Sequence, residues 1–251
     1  MDKEVIIKNF SRYAHTYDSY ADIQKGAAIE LLGLINQNGF VKILEIGCGT
    51  GNYTRLLRDR FAKAKLQAVD ISAKMIEIAF DKFKNDEVEF SVHDAERINL
   101  EKDYDLITSN ACFQWFEDLE SALKRYSHSL NTGGFLAFSV FGPGTFKELN
   151  ESLKSLGFSA NGANFKSQDN LKSILEDSFE EVQIKEVLYE ETFSSLKGLF
   201  EKIKYTGIRG TGAKDKTLFT PGFFKKIEEN YLDKFSEIKA TYQIFYCLGM
   251  K

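Results

Sequence analysis

The run Val41-Lys42-Ile43-Leu44-Glu45-Ile46 leads directly into Gly47-Cys48-Gly49-Thr50-Gly51-Asn52-Tyr53, an apolar strand breaking into three alternate glycines and then a helix. It reads as the nucleotide turn of an α/β sheet. The first glycine allows a tight turn, the second lets a ligand approach the backbone, and the third lets the helix from Tyr53 pack close to the strand. A dinucleotide fingerprint, G-x-G-x-x-G, needs glycine where Asn52 stands, so the early third glycine argues against hydride chemistry.

A second strand, Leu66 to Val69, ends on Asp70, nineteen residues beyond Gly51, where an acidic residue is placed to bind both ribose hydroxyls of a nucleoside. A third acidic position follows in Asp94-Ala95-Glu96. The E-x-G-x-G-x-G turn that starts at Glu45, together with Asp70 and Asp94, resembles the class I S-adenosylmethionine-dependent methyltransferases. That resemblance implies an α/β, Rossmann-like fold with a mostly parallel seven-stranded sheet flanked by helices. It implies a cofactor site made of Glu45, Gly47, Cys48, Gly49, Gly51, Asp70, Ile71, Met75, Asp94, Ala95 and Asn110. In that site Asp70 meets the ribose, Asp94 with Ala95 meets the adenine amino edge, and Ile71 and Met75 flank the ring; the last two equally suit ordinary core.

Apolar spacing of three and four predicts helices over Val5 to Ala14 and Ile23 to Ile35, ahead of the first strand. The segment between them, Tyr13 to Tyr20, holds three tyrosines and His15, and either folds over the mouth of the sheet or packs on the domain. Ser72 caps a helix from Ala73 to about Phe83, with Met75, Ile76, Ile78 and Ala79 facing the sheet. Val88 to Val92 is the third strand, with Val88, Phe90 and Val92 inward; Tyr104 to Ser109 is the fourth and opens into Phe113-Gln114-Trp115. Ligands sit outside the carboxyl ends of strands in such sheets, so Asp70, Asp94 and Asn110 converge on one crevice. A helix from Leu119 to Leu130 stops at Asn131-Thr132-Gly133-Gly134, and strand five is Phe135 to Phe141. Gly142-Pro143-Gly144 turns into a helix over Thr145 to Leu156, another helix covers Asp169 to Asp177, and the last strands are Val182 to Leu188 and Ile238 to Leu248. The chain reads as one methyltransferase domain over 1–251. Its parts are N-terminal helices (1–40), a cofactor core (41–194), a helical cap inserted before the last strand (195–234), and that strand (235–251).

No run approaches the roughly 20 apolar residues of a membrane span, which predicts a cytoplasmic protein with no membrane partner. Cys48, Cys112 and Cys247 lack metal-ligand spacing and suit reduced thiols, so neither disulfide nor metal is expected. His15, His93 and His128 are too scattered for a catalytic constellation, and His93 and His128 read as structural or exposed. A net charge of −4 argues against nucleic acid as a partner, yet residues 197 to 226 carry eight basic residues against two acidic ones. These are Lys197, Lys202, Lys204, Arg209, Lys214, Lys216, Lys225 and Lys226, opposed by Glu201 and Asp215. They form either a solvated face or a surface that attracts an acidic partner.

Further stretches together resemble the malonyl-acyl-carrier-protein O-methyltransferase family of biotin synthesis. They are Phe10-Ser11-Arg12 to Tyr17-Asp18, Ser109-Asn110-Ala111 to Gln114-Trp115, Phe138 to Thr145, Ile203-Lys204 to Gly207, and Ala240-Thr241-Tyr242. The discriminating parts are F-G-P-G-T after strand five and F-Q-W after strand four, whereas Ile208-Arg209-Gly210 departs from the family's pattern. The resemblance implies methyl transfer from S-adenosylmethionine to the free carboxylate of malonyl-acyl carrier protein, with malonyl-coenzyme A as a further acceptor and S-adenosylhomocysteine as product. It implies catalytic roles for Tyr17, Asn110, Gln114 and Trp115, and acceptor binding by Lys204, Arg209 and Tyr242. Rings of Tyr17, Phe113 or Trp115 suit water exclusion and contact with a sulfonium. Two other readings stand beside it: a methyltransferase of a small free carboxylic acid or other small molecule, and a silent nucleotide-binding protein.

Overall fold

A computed structural model describes residues 2–84, 86–158, 165–207 and 221–251. Its strands are β1 (Lys42–Ile46), β2 (Lys65–Asp70), β3 (Val88–Val92), β4 (Tyr104–Asn110), β5 (Leu130–Phe141), β6 (Glu181–Phe193) and β7 (Ile238–Met250). Its helices are α1 (Lys3–Tyr17), α2 (Asp22–Leu34), α3 (Asn52–Arg60), α4 (Ala73–Lys82), α5 (Leu119–Ser129), α6 (Lys147–Ser155), α7 (Gln168–Glu176), α8 (Leu196–Tyr205) and α9 (Pro221–Phe235). The strands form one seven-stranded sheet in the order β3-β2-β1-β4-β5-β7-β6. Pairing is parallel from β3 through β5, and β7 runs antiparallel to both β5 and β6. The direction of winding reverses between β1 and β4, and that reversal opens the crevice at their carboxyl ends.

Local chemistry accounts for the helix starts near this crevice. Ser72 accepts the Met75 N–H at the start of α4, and Asp118 accepts the Ser121 N–H at the start of α5. On one face of the sheet Leu31, Leu57, Leu199, Ile227 and Tyr231, from α2, α3, α8 and α9, share a single core. The other face is closed by α5 and α7, with Leu123, Tyr126, Leu171 and Leu175 packed on the strands. The described helices of segment 195–234 therefore bury side chains in the main core.

Several expected boundaries shift. Strand β5 starts at Leu130 rather than Phe135, because residues 131–134 continue in extended form beside the chain's last strand, and the Gly133 N–H donates to the Lys251 carbonyl. Helix α6 starts two residues late, since Thr145 closes a turn onto Gly142 and Phe146 sits at φ +58°. Strand β6 runs five residues past Leu188, paired to β7 along its whole length. Val92 is 47% exposed instead of inward, because β3 is an edge strand with only β2 beside it.

Candidate functional site

The glycine turn is pinned to the neighbouring strand before any ligand is considered. The Gly47 and Cys48 N–H groups both donate to the Val69 carbonyl, and the Gly49 N–H donates to Asp70 Oδ2 at 2.9 Å. Gly49 has φ +54°, and a Cβ there would meet nothing within 4 Å, so its surface is open to a ligand as the spacing predicted. Gly51 differs: a Cβ there would come within 2.9 Å of the Phe83 ring and 3.4 Å of Ala79, so this glycine admits α4 against the start of α3 rather than bringing α3 to the strand.

A cleft of about 750 Å³, including its open mouth, lies over this turn. Its walls include Gly47, Gly49, Asp70, Ile71, Met75, Asp94, Ala95 and Asn110, so the convergence expected at the strand ends is present. Asp70 is held by two backbone donors, Gly49 to Oδ2 and Ser72 to Oδ1, which leaves each oxygen room for another bond. Burial raises the Asp70 carboxyl above its ordinary range, against the pull of N–H groups from Ser72, Gly49 and Ile71. Asp94, at the cleft wall, is also bound by a lysine. Both its oxygens accept from Lys3 Nζ at 2.8 and 2.7 Å, and the same ammonium reaches Glu96 at 2.6 Å.

Lys3 belongs to α1, whose inner side forms the roof of the cleft with Lys3, Ile6, Phe10 and Tyr17. The Phe10 ring meets Tyr17 and Trp115 edge-on at 6.4 and 5.9 Å, making an aromatic trio over the glycine turn. Ser11 joins α1 to the Ser72 hydroxyl at 2.9 Å. The sequence reading singled out the aromatic end of α1 and missed Lys3, Ile6 and Phe10 as wall residues. Their helical spacing with Tyr17 was the available signal. Burial, then the Asp18 and Asp70 carboxylates and Cys112, push the Tyr17 phenol well above its usual range, so it stays protonated and is available as a donor.

A second pocket shares Tyr17, Gly47, Gly49 and Asn110 with the cleft and adds Gln24, Lys25, Glu45 and Cys48. Asn110 is a strut between elements: its Nδ2 donates to the Gln24 carbonyl and its Oδ1 accepts from Ser139. Other expected site residues lie elsewhere. Gln114 is buried with its amide donating to the Ala111 carbonyl, and it lines a separate cavity with Lys166 and Leu171. Phe113 stacks on Tyr126 inside the core, so Trp115 is the member of F-Q-W that reaches the cleft. Tyr242 is buried beside Phe146 with its hydroxyl on Glu191, and Lys204 lies over the Tyr13 and Tyr205 rings; neither lines the cleft. Arg209 falls outside the described residues. Exposed His93 stands at the cleft wall, while Cys112 is pushed far above an ordinary thiol by burial, then by Asp70, which makes it a poor nucleophile. Among the described residues no three side chains group as metal ligands, and no helix is long and apolar enough to cross a membrane.

These residues fit a nucleoside bearing an amino-acid tail. The cleft offers the buried Met75 and Ala95 beside Asp70, and the adjoining pocket holds buried acceptors, Gln24 Oε1 and Glu45 Oε2, that have no hydrogen-bond partner. Comparison with known proteins agrees. Residues 43–134 match a family model described as a methyltransferase domain. A malonyl-[acyl-carrier protein] O-methyltransferase of Priestia megaterium is 36% identical, over 96% of this chain and 95% of its own. One from Acetivibrio thermocellus is 34% identical over 100% of this chain and 95% of its own. Among solved structures, the YcgJ protein of Bacillus subtilis superposes with a TM-score of 0.64 at 15% identity, covering 90% of this chain and 98% of that one, a likeness of fold.

Proposed function

The chain belongs to the malonyl-[acyl-carrier protein] O-methyltransferase family, and from that premise we propose that it methylates the free carboxylate of malonyl-acyl carrier protein, giving the methyl ester that primes pimeloyl synthesis for biotin. When bound, S-adenosylmethionine supplies an electrophilic methyl: a carboxylate oxygen bonds to it as the carbon–sulfur bond breaks, and sulfur keeps the electron pair. Asp70 would hold the ribose, Ile71, Met75 and Ala95 the adenine, and Glu45 with Gly47 and Gly49 the tail.

The observation that carries the reading is the aromatic roof of Phe10, Tyr17 and Trp115 over an open glycine turn. A malonyl carboxylate is ionised at neutral pH, so the reaction needs no general base. It needs alignment and exclusion of water, and alignment alone is worth about 7 kcal/mol or more. Tyr17 serves both needs, its ring as a wall and its protonated hydroxyl as a donor to the acceptor carboxylate. Asp94 would act through Lys3, holding the roof in place. Lys204 and Tyr242 have no part in this acceptor site, and the exposed Lys197, Lys225 and Lys226 are left to meet an acidic carrier. Lys202 is excluded from that surface by its buried pairing with Asp22 and Glu191. We place the reaction in the cytoplasm, where three unpaired cysteines suit a reducing environment.

The test is a comparison of kcat/KM for malonyl-acyl carrier protein, malonyl-coenzyme A and free malonate at low and high salt. The carrier should be the best acceptor and lose most on adding salt, about tenfold between dilute buffer and half-molar salt. Free malonate turned over as efficiently as the carrier, with equal salt dependence, would favour a methyltransferase of small free acids.

A further inference from the structure

The outer face of α1 carries cations left without a counter-charge among the described residues. Phe10 and Tyr17 face the cleft, whereas Lys8 and Arg12, each half a turn of helix from Phe10, are exposed on the opposite side. Lysines on other helix surfaces pair within their own helix: Lys124 with Glu120 at 3.0 Å, Lys197 with Glu201 at 3.9 Å, Lys225 with Glu229 at 3.6 Å. Among the described residues no carboxylate lies within ion-pairing distance of Lys8, Arg12 or Lys204. Even Glu4, one turn before Lys8 where such a pair forms readily, does not meet it.

Arg12 and Lys204 meet rings instead. The Arg12 guanidinium stands 5.9 Å from the Tyr13 ring centre, and Lys204 Nζ lies 5.6 Å from that same ring and 5.0 Å from Tyr205. Tyr13 of α1 meets Tyr205 of α8 edge-on at 5.3 Å. Just past α8, Gly207 has φ +73°, and a Cβ there would come within 2.7 Å of the Phe10 ring, so the end of α8 lies directly on the roof. One fixed surface therefore crosses both helices, and the thickness of α1, about 10 Å, separates it from the cleft.

Tyrosine and arginine are the residues enriched at protein interfaces, and unpaired cations select an acidic partner. The rings hold Arg12 and Lys204 in place, which lowers the side-chain entropy lost on docking. We propose that Lys8, Arg12 and Lys204, with Tyr13 and Tyr205, form the docking surface for the acidic carrier protein, over the roof of the cleft. This rests on the carrier reading above and deepens it by giving the place of docking. Lys197 stands two turns before Lys204 on α8, so the surface continues to a cation already left to the carrier.

The test titrates the full chain, with S-adenosylhomocysteine present, into fluorescently labelled acyl carrier protein bearing its pantetheine arm, and reads anisotropy beside methylation kinetics on malonyl-acyl carrier protein. Reversing two charges, Lys8→Glu with Arg12→Glu, should weaken carrier binding and raise KM at least about tenfold, with kcat at saturating carrier and affinity for S-adenosylhomocysteine unchanged. Lys204→Gln should weaken the carrier about threefold, and Lys225→Glu with Lys226→Glu should cost less than the reversal on α1. Lys8→Gln with Arg12→Gln keeps good helix formers, should cost about threefold, and decides the matter if the reversed chain does not fold. Full carrier affinity in the α1 variants, a fall in kcat in place of the rise in KM, or a greater loss from the pair on α9 would overturn this docking surface. No methyl transfer to malonyl-acyl carrier protein by the unaltered chain would overturn the carrier reading itself.

Discussion

Tyr17 carries two separable properties, a ring that closes the cleft against Phe10 and a hydroxyl held in its protonated form. Tyr17→Phe keeps the first and loses the second, so kcat should fall about tenfold, the worth of one hydrogen bond to a charged group. Tyr17→Ala removes both and should cost about a hundredfold in kcat/KM with little change in melting temperature, the ring being only part-buried at the cleft. Because neither tyrosinate nor any other base is required, kcat should stay flat with pH across the neutral range. A Tyr17→Phe variant as active as the original chain, or a kcat profile that rises through a single basic pKa, would contradict the role given to this hydroxyl. Asp70 is different in kind: its oxygens already fix Gly49 and Ser72, so its loss would disturb the turn as well as any ribose contact.

At the scale of elements, α1 is a roof fastened by Lys3 to Asp94 and Glu96, by Ser11 to Ser72, by the Phe10 ring to Trp115, and by the Tyr13 ring to Tyr205. Lys3→Met should release the first turn, speeding amide exchange over residues 3–10 by about two- to fivefold, in keeping with part-exposed ion pairs, while the α4 amides remain unchanged. Unchanged exchange over that turn would mean the aromatic contacts alone hold the helix. The glycine turn, Asp70 and the capping of α4 by Ser72 were legible in the sequence because each is set by neighbours within a few residues. Lys3 was not, because its role depends on Asp94 and Glu96 in the loop after β3, which only the fold brings near. The same limit explains Lys202 and Tyr242: a basic run reads alike whether its lysines face solvent or, as Lys202 does, meet Asp22 and Glu191 in the interior. Nor does F-Q-W reveal that Phe113 turns into the core and Trp115 into the cleft, since the two rings stand two residues apart on a single turn of 3-10 helix and leave it on different sides.

For the whole molecule, the sheet order explains why one end carries all the chemistry. The winding reverses between β1 and β4, and Glu45, Asp70 and Asn110 lie at or beside three neighbouring strand ends under a helix from the start of the chain. The antiparallel β7 and β6 extend the sheet away from that end and anchor α8 and α9, which brings the exposed Lys197, Lys225 and Lys226 into the same body as the cleft. Such an assembly should transfer a methyl group to oxygen, with the product still attached to its carrier. The most direct measurement supplies S-adenosylmethionine labelled in the methyl group together with malonyl-acyl carrier protein, isolates the carrier, and treats it with mild alkali. The label should travel with the carrier and then be released as methanol, the signature of a methyl ester. Label that stays on the carrier through alkali, or never reaches it, would contradict carboxyl methylation.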